Sequence, residues 1–348
     1  MRMIGPARFL LTTTAAAGAV VLAAAVPASA SSASWHPAFK VSGSGFPQFT
    51  AVTATSASSA WAFEGAGSKA PVAYQLSGST WKSRAFPAKA GDFVQAAASS
   101  SAGNVWAFTF QGQVLHFNGS SWAAVKKFSK EINSGLAISS TDVWIFGSPG
   151  TGTYHYNGHT WTHSISGSGL NGGSALSATS IWAYGGTGVA HWNGSTWTKT
   201  SVADLLPKNT QLSHSRVAGI YAASASNVYA VGSGGRQDEG GPLVLLHYNG
   251  HAWSKVAENA GLGDPMAVIG DGSGGLWIPV RTGFPGDGSM EHYAHGKLSS
   301  ARLPFSPPHL FLFGAAIGKG TTAAYAVGYS RTSFNPKTTT AEILRYGT

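Results

Sequence analysis

The chain has 348 residues, of which 10% are charged and none is cysteine, and its formal net charge is +9. The missing cysteines exclude disulfides, thiolate nucleophiles and cysteine-held metals together, so stability has to come from buried apolar surface. The basic residues are scattered rather than gathered into a stripe, which argues against a nucleic-acid partner.

Residues 1–30 read as a secretory signal peptide. Arg2 and Arg8 form a basic start, an apolar stretch runs from Phe9 to Val26, and Ala28-Ser29-Ala30 is a small-residue cleavage site. A retained transmembrane anchor is the rival reading of the same stretch. Cleavage would leave residues 31–348, with 20 basic against 13 acidic side chains and a net charge of +7. The expected product is secreted and extracellular, with no membrane contact once the leader is removed. Its charge favours contact with anionic wall polymers or acidic glycans.

Beyond the leader, the chain repeats. SASSAWAFEG (56–65), SAGNVWAFTF (101–110), SSTDVWIFGS (139–148) and SATSIWAYGG (177–186) are followed by weaker copies at 224–233, 272–281 and 320–329. Their aromatic anchors are Trp61, Trp106, Trp144, Trp182, Tyr229, Trp277 and Tyr325, spaced by 45, 38, 38, 47, 48 and 48 residues. Seven units of that period predict an all-β, seven-bladed β-propeller of four-stranded antiparallel blades. A second signature follows four of the anchors: HFNGSSW (116–122), HYNGHTW (155–161), HWNGSTW (191–197) and HYNGHAW (247–253). Asn-Gly between strand-forming runs predicts a two-residue hairpin loop with positive φ at both centres.

The last unit stops at Ile343-Leu344-Arg345-Tyr346-Gly347-Thr348, where the others turn into their Trp strand. The segment SASWHPAFKV at 32–41 supplies a strand of the missing kind, with Trp35 to Trp61 at the spacing of the other units. Residues 31–41 are therefore expected to complete blade seven and close the ring, protecting the seam from edge pairing.

The SxxDVWAxG strand followed by HYNGxxW resembles the repeats of bacterial Kelch-like propellers and tectonin-type propeller lectins, over the whole chain after the leader. There is also a partial likeness to the Asp-box of sialidase-like propellers, since Gly158 and Trp161 keep its Gly-to-Trp spacing; the box's Asp falls on Tyr156. The resemblance implies the fold and, through the lectins, carbohydrate binding.

His116, His155, His191, His247 and His292 share one repeat position. Equivalent positions stand far apart around a ring, whereas metal ligands converge within about 2 to 3 Å of one ion, so hydrogen bonding beside the turn Trp or backbone is the expected role and no metal site is expected. The anchor tryptophans are expected in blade packing. Trp122, Trp161, Trp197 and Trp253 are expected there too, with sugar stacking as the alternative.

The irregular feature is loop length. From the anchor to the His-equivalent position the units take 14, 10, 11, 9, 18, 15 and 20 residues, so the long loops belong to blades five, six, seven and one, contiguous in a closed ring. They carry Glu64 and Lys69 in blade one, Arg236, Asp238 and Glu239 in blade five, Arg281 and Asp287 in blade six, and Arg331 and Lys337 in blade seven. Arginines from three consecutive blades suit bidentate recognition of carboxylate, sulfate or phosphate; solvated charge on Gly-rich loops is the bland alternative.

The expectation is a monomeric, non-catalytic binding module for a glycan or other extracellular or cell-wall polymer, without cofactors. Arg236, Asp238, Glu239, Arg281, Asp287, Arg331 and Lys337 are its candidate contacts. One alternative is a glycoside hydrolase or lyase using Asp238, Glu239 or Asp287, and another is an extracellular protein-interaction scaffold. No catalytic residues are assigned, because no nucleophile elbow, zinc or phosphate-loop motif is present.

Overall fold

A computed structural model describes residues 33–347 except 44, 66, 149, 168, 209–213, 235–240, 282–287, 305–308 and 332–338. The leader at 1–30 lies outside the described residues. Strand β1 (Ser34–Ser42) comes first. Blade one is β2 (Phe49–Ser56), β3 (Ser59–Glu64), β4 (Val72–Ser77) and β5 (Thr80–Arg84). Blade two is β6 (Val94–Ser101), β7 (Asn104–Thr109), β8 (Gln113–Phe117) and β9 (Trp122–Lys127). Blade three is β10 (Ile132–Ala137), β11 (Val143–Gly147), β12 (Thr153–Tyr156) and β13 (Trp161–His163), and blade four is β14 (Gly172–Ser177), β15 (Ser180–Gly185), β16 (Gly188–Trp192) and β17 (Trp197–Ser201). Blade five is β18 (Arg216–Ser224), β19 (Asn227–Ser233), β20 (Gly241–Tyr248) and β21 (Trp253–Pro265). Blade six is β22 (Ile269–Gly270), β23 (Leu276–Arg281), β24 (Ser289–Ala294) and β25 (Lys297–Ala301). Blade seven is β26 (His309–Ile317), β27 (Ala324–Arg331) and β28 (Thr339–Gly347), completed by β1.

All the pairings are antiparallel. The first strand of each blade, or in blade six the residues just before it, lines one central cavity, so each blade runs outward from the ring axis in chain order. The expected closure is present: β1 pairs along β28 from Ser34 opposite Gly347 to Ser42 opposite Thr340, which makes the N-terminal strand the outermost strand of blade seven. Blades five and six depart from the simple plan. The far end of β21 leaves blade five and pairs with β23 through Asp264 opposite Arg281 and Pro265 opposite Val280, fusing the two blades into one sheet.

The repeat signatures have a packing explanation. Each blade's anchor aromatic is buried or nearly so and meets the outer-strand Trp of the next blade edge-on. The pairs are Trp61 with Trp122 at 5.1 Å, Trp106 with Trp161 at 6.4 Å, Trp144 with Trp197 at 5.5 Å, Trp182 with Trp253 at 5.9 Å, Trp277 with Trp35 at 5.3 Å and Tyr325 with Trp81 at 6.0 Å. Edge-to-face pairing sets the positive ring edge against the negative face, which adds about 0.5 to 1.5 kcal/mol per pair to the burial itself. The exception is blade five to six, where Leu298 takes the outer position and Tyr229 meets Tyr293 at 6.1 Å instead. That junction is also the one where β21 runs continuously from blade to blade.

Glycines in the anchor strands answer to a close approach of the inner-strand backbone. The inner strands of blades one, two, three, five and seven slip register near their starts, as at Val217/Gly219 and Leu312/Gly314. In blade seven the inner backbone crosses close over Gly328, where a Cβ would fall 1.7 Å from the Phe311 carbonyl oxygen. At Gly185 of blade four a Cβ would fall 2.0 Å from the Gly169 carbonyl oxygen.

The Asn-Gly turn differs from the two-residue reading. In blade four, Trp192 pairs with Trp197, so the loop has four residues, Asn193 to Thr196. Asn193 Oδ1 accepts hydrogen bonds from the backbone N–H groups of Ser195 and Thr196 at 3.0 Å each. Among these turn residues only the glycine has positive φ, +98° at Gly194. The Asn side chain does the turning that a left-handed Asn would otherwise do. The true two-residue turn with positive φ at both centres is His295-Gly296, at 52° and 76°, between Ala294 and Lys297 of blade six.

Candidate functional site

An antiparallel meander reverses direction at every strand. The connections from first to second and third to fourth strand therefore share one face of the ring, and those from second to third strand and from blade to blade share the other. The two faces are chemically unlike.

On the first face the recurring polar groups satisfy one another. His116, His155, His191, His247 and His292 each stack on the anchor directly across the strand pair, with ring centroids 4.0 to 4.7 Å apart. Four Nε2 atoms also meet the side chain that opens or immediately precedes the anchor strand, Asn104 at 2.7 Å, Asp142 at 2.8 Å, Ser180 at 3.1 Å and Asn227 at 2.8 Å, and that of His292 meets Asp271, just after β22, at 2.9 Å. The partner is thus a side chain two residues before the anchor or, in blade six, six residues before it, rather than the turn Trp or backbone. Burial pushes the His116, His191 and His247 imidazoles down, toward the neutral form. At Asp271 burial works upward, but hydrogen bonds from His292 and from the backbone of Ser273 and Gly275 prevail and hold the carboxyl below its usual range. Among the described residues, no group of three or more His, Asp or Glu side chains is placed to hold a metal ion. The outer tryptophans differ among themselves. Trp81 and Trp122 are 8% exposed and Trp197 5%, which removes them as bare platforms for a sugar ring, whereas Trp161 and Trp253 are half-buried.

The second face carries the long connections. Of the sequence-predicted contacts, Arg236, Asp238, Glu239, Asp287 and Lys337 lie outside the described residues. Arg281 and Arg331 end β23 and β27 on this face. Arg331 stands over the Phe311 ring, its Cζ 4.8 Å from the centroid, and Phe311 stacks in turn on Tyr329 at 4.7 Å and 11°. Phe46 and Phe313 tilt against the same Tyr329 at 5.1 and 5.8 Å. Burial raises the Tyr329 hydroxyl, while the charges of Arg331 and then Arg281 pull it back, so both guanidiniums act on one phenol. Arg281 also reaches Asp264 at 3.6 Å, and Arg216 of blade five bonds the other oxygen of that carboxylate at 2.6 Å. Asp264 is buried and also accepts from Ser233 Oγ at 3.2 Å. One carboxylate therefore ties the arginines of blades five and six together, and Arg331 of blade seven acts on the same Tyr329 as Arg281. In blade one, Glu64 is raised by burial and lowered by Lys69.

Arg216, Asp264, Phe46, Phe311, Phe313 and Tyr329 were not among the sequence candidates. Asp264 sits in a Gly-rich run with no repeat equivalent, and only its position opposite Arg281 across a strand pair shows its role. Phe311 and Phe313 belong to the inner strand β26, Phe46 to a connection and Tyr329 to the anchor strand β27, and loop length says nothing about any of them.

Phe313 links this corner to the central cavity. That cavity has a volume of about 640 Å³ and is lined by the inner strands of six blades and, in blade six, by the residues just before β22. The polar side chains Thr50, Thr53, Gln95, Ser99 and Asn133 line it at blades one to three, whereas Ile220, Met266, Val268 and Phe313 line it at blades five to seven, with Lys319 as a charged member. No carboxylate is among its described lining residues.

The fold has many solved counterparts. YCF48 with a D1 peptide bound matches with a TM-score of 0.62 at 12% identity, over 90% of this chain and 97% of that one. A catalytically inactive variant of virginiamycin B lyase from Staphylococcus aureus, with Quinupristin, matches with 0.61 at 10% identity, over 88% and 98%. The extracellular domain of the putative hybrid two-component system BT4673 from B. thetaiotaomicron matches with 0.60 at 10% identity, over 88% of this chain and 40% of that one. At such identities the likeness is one of fold, the β-propeller, and fold alone does not carry function. No protein-family model matches the chain, and no curated protein does.

Proposed function

We propose that the chain is a secreted, non-catalytic, monomeric binding module for an anionic glycan or other anionic extracellular polymer. It engages that polymer through the face carrying the long connections of blades five, six, seven and one. The observation that carries this reading is the cluster of Arg331 over Phe311 and its stacked Tyr329, with Arg281 and Arg216 joined through Asp264, next to Phe313 of the central cavity wall. Guanidinium groups are suited to carboxylate and phosphate, and the recurring polar groups of the opposite face are already engaged with one another. Arg236 and Lys337, outside the described residues, are proposed as further cationic contacts. Asp238, Glu239 and Asp287 would offer acceptors for hydroxyl groups. The tectonin-type and Kelch-like resemblance is in keeping with a binding role, although burial of Trp81, Trp122 and Trp197 shifts sugar recognition toward polar and charged groups. The YCF48 structure with its peptide and the lyase with Quinupristin are cases of similarly folded rings holding ligands.

The test is co-sedimentation of the secreted protein with polyuronate, phosphate-bearing wall polymer and a neutral glucan. Binding to the anionic polymers that weakens with salt and is lost in an Arg281→Ala/Arg331→Ala variant supports the reading. Equal binding to the neutral glucan, or no binding at all, refutes it. A protein partner is the second reading. It is favoured by Phe110, 38% exposed and stacked on Phe93, and by Ile165, 79% exposed, both on the same face.

A further inference from the structure

We infer that the arginine corner and the central cavity form one binding site, which takes the acid-bearing end of a ligand whose uncharged remainder enters the ring axis. This rests on the anionic-polymer reading and narrows it from adhesion along a face to recognition of a chain end. Three observations carry it. First, Phe313 belongs to both parts: it lines the cavity and packs against Tyr329, the phenol acted on by Arg331 and Arg281. Second, the charges are separated along this path. The corner beside Phe313 has guanidiniums, while the cavity wall has hydroxyls and amides, apolar side chains, and Lys319 as the single charged side chain among its described residues. A ligand charged throughout would lose hydration inside with only Lys319 as a partner, whereas one charged only at its end keeps that cost small. Third, the cavity of about 640 Å³ falls within the range of about 300 to 1,000 Å³ typical of small-ligand sites.

The hydroxyl-bearing wall and the opposite apolar wall suit the two kinds of surface a sugar ring presents. The anionic group is a carboxylate or a phosphate, both of which a guanidinium grips through two parallel hydrogen bonds. Asp264, which holds Arg216 and Arg281, is a positioning residue.

Gly314 allows the cavity to be blocked separately from the arginine corner. It lines the cavity, and a Cβ built on it meets nothing within 4 Å, so a larger side chain there enters open space. Calorimetric titration would use a short oligogalacturonide, its methyl ester and a glycerol phosphate oligomer, with the wild-type chain and the Gly314→Leu and Arg331→Gln variants. The expected result is binding of an acidic probe but not the ester, weakened about tenfold or more by either substitution, with an unchanged melting temperature. The oligogalacturonide and glycerol phosphate arms tell a carboxylate end from a phosphate end. Acidic-probe binding that survives Gly314→Leu in a folded variant would overturn the single-site inference while leaving the anionic-polymer reading intact. A wild-type chain that binds no anionic probe or polymer would overturn both.

Discussion

Trp35 of the closing strand packs edge-on against Trp277 of blade six, with ring centroids 5.3 Å apart at 80°. It thereby makes the contact that Trp122, Trp161, Trp197 and Trp253 make inside the ring, although it comes from the opposite end of the chain. Around it, Tyr346 packs on both rings, at 5.6 Å from Trp35 and 4.7 Å from Trp277. The seam is therefore sealed by the same aromatic contact as an ordinary blade junction, in addition to the β1–β28 ladder.

Trp35→Ala should accordingly cost about 3 to 5 kcal/mol, the usual cost of deleting a buried large aromatic. Urea unfolding followed by tryptophan fluorescence measures it. Removing residues 31–41 should lower the melting temperature further, because it also bares the β28 edge. A Trp35→Ala change under about 1 kcal/mol would mean that the strand ladder alone holds the ring shut.

Gly328→Ala tests the close approach of the inner strand. A methyl group 1.7 Å from the Phe311 carbonyl oxygen cannot be accommodated unless β26 and β27 separate. The expected result is loss of secretion or a destabilisation of more than about 3 kcal/mol. Gly314→Ala, two residues beyond Leu312 on the same inner strand, should be close to neutral, since its Cβ would meet nothing. Thermal melting of the two variants side by side gives the comparison.

The blade count, the strand pattern and the closure were legible because each rests on a local, repeated constraint: an aromatic anchor, a Gly-marked turn, a Trp at fixed distance. The mistaken part was also local. Asn-Gly was read as a turn needing positive φ at both residues, but two further residues in the loop let Asn193 act through its side chain instead. The candidate site was only partly legible. Arg281 and Arg331 stand out in sequence as charges ending anchor strands, whereas their setting depends on partners distant along the chain. Asp264 lies 48 residues from Arg216, which it bonds. Phe46 reaches Tyr329 only because β1 brings the start of the chain to its end. No periodicity announces such pairs.

The turn itself yields a two-part test. Asn193→Ala removes the acceptor for two backbone N–H groups and should cost about 1 kcal/mol. Gly194→Ala forces a side chain into φ of +98° and also brings its Cβ to 3.0 Å from Thr179 Cγ2, so it should cost about 1 to 2 kcal/mol. Denaturant midpoints of the two variants give the values. If Asn193→Ala proves the more costly, the side-chain caps matter more than the backbone conformation.

The histidine face predicts a two-stage acid response. His116, His191 and His247 are harder to protonate in the fold than in the unfolded chain, where the ordinary value is 6.5. The unfolded state therefore takes up protons first as pH falls, so the stabilisation is complete above about 6.5 and declines below it. Asp271 shifts downward from 3.8, so its contribution persists above that value and is lost only in stronger acid, as its carboxyl protonates and the bond to His292 weakens. Melting temperature should thus fall gently as pH drops below 6.5 and more steeply below about 4. Replacing His116, His191 and His247 together by Gln keeps a polar group at each position and should flatten the first stage while leaving the second. If the triple variant keeps the full decline between about pH 6.5 and 5, the proton uptake lies elsewhere and the stacked histidines do not govern the acid response.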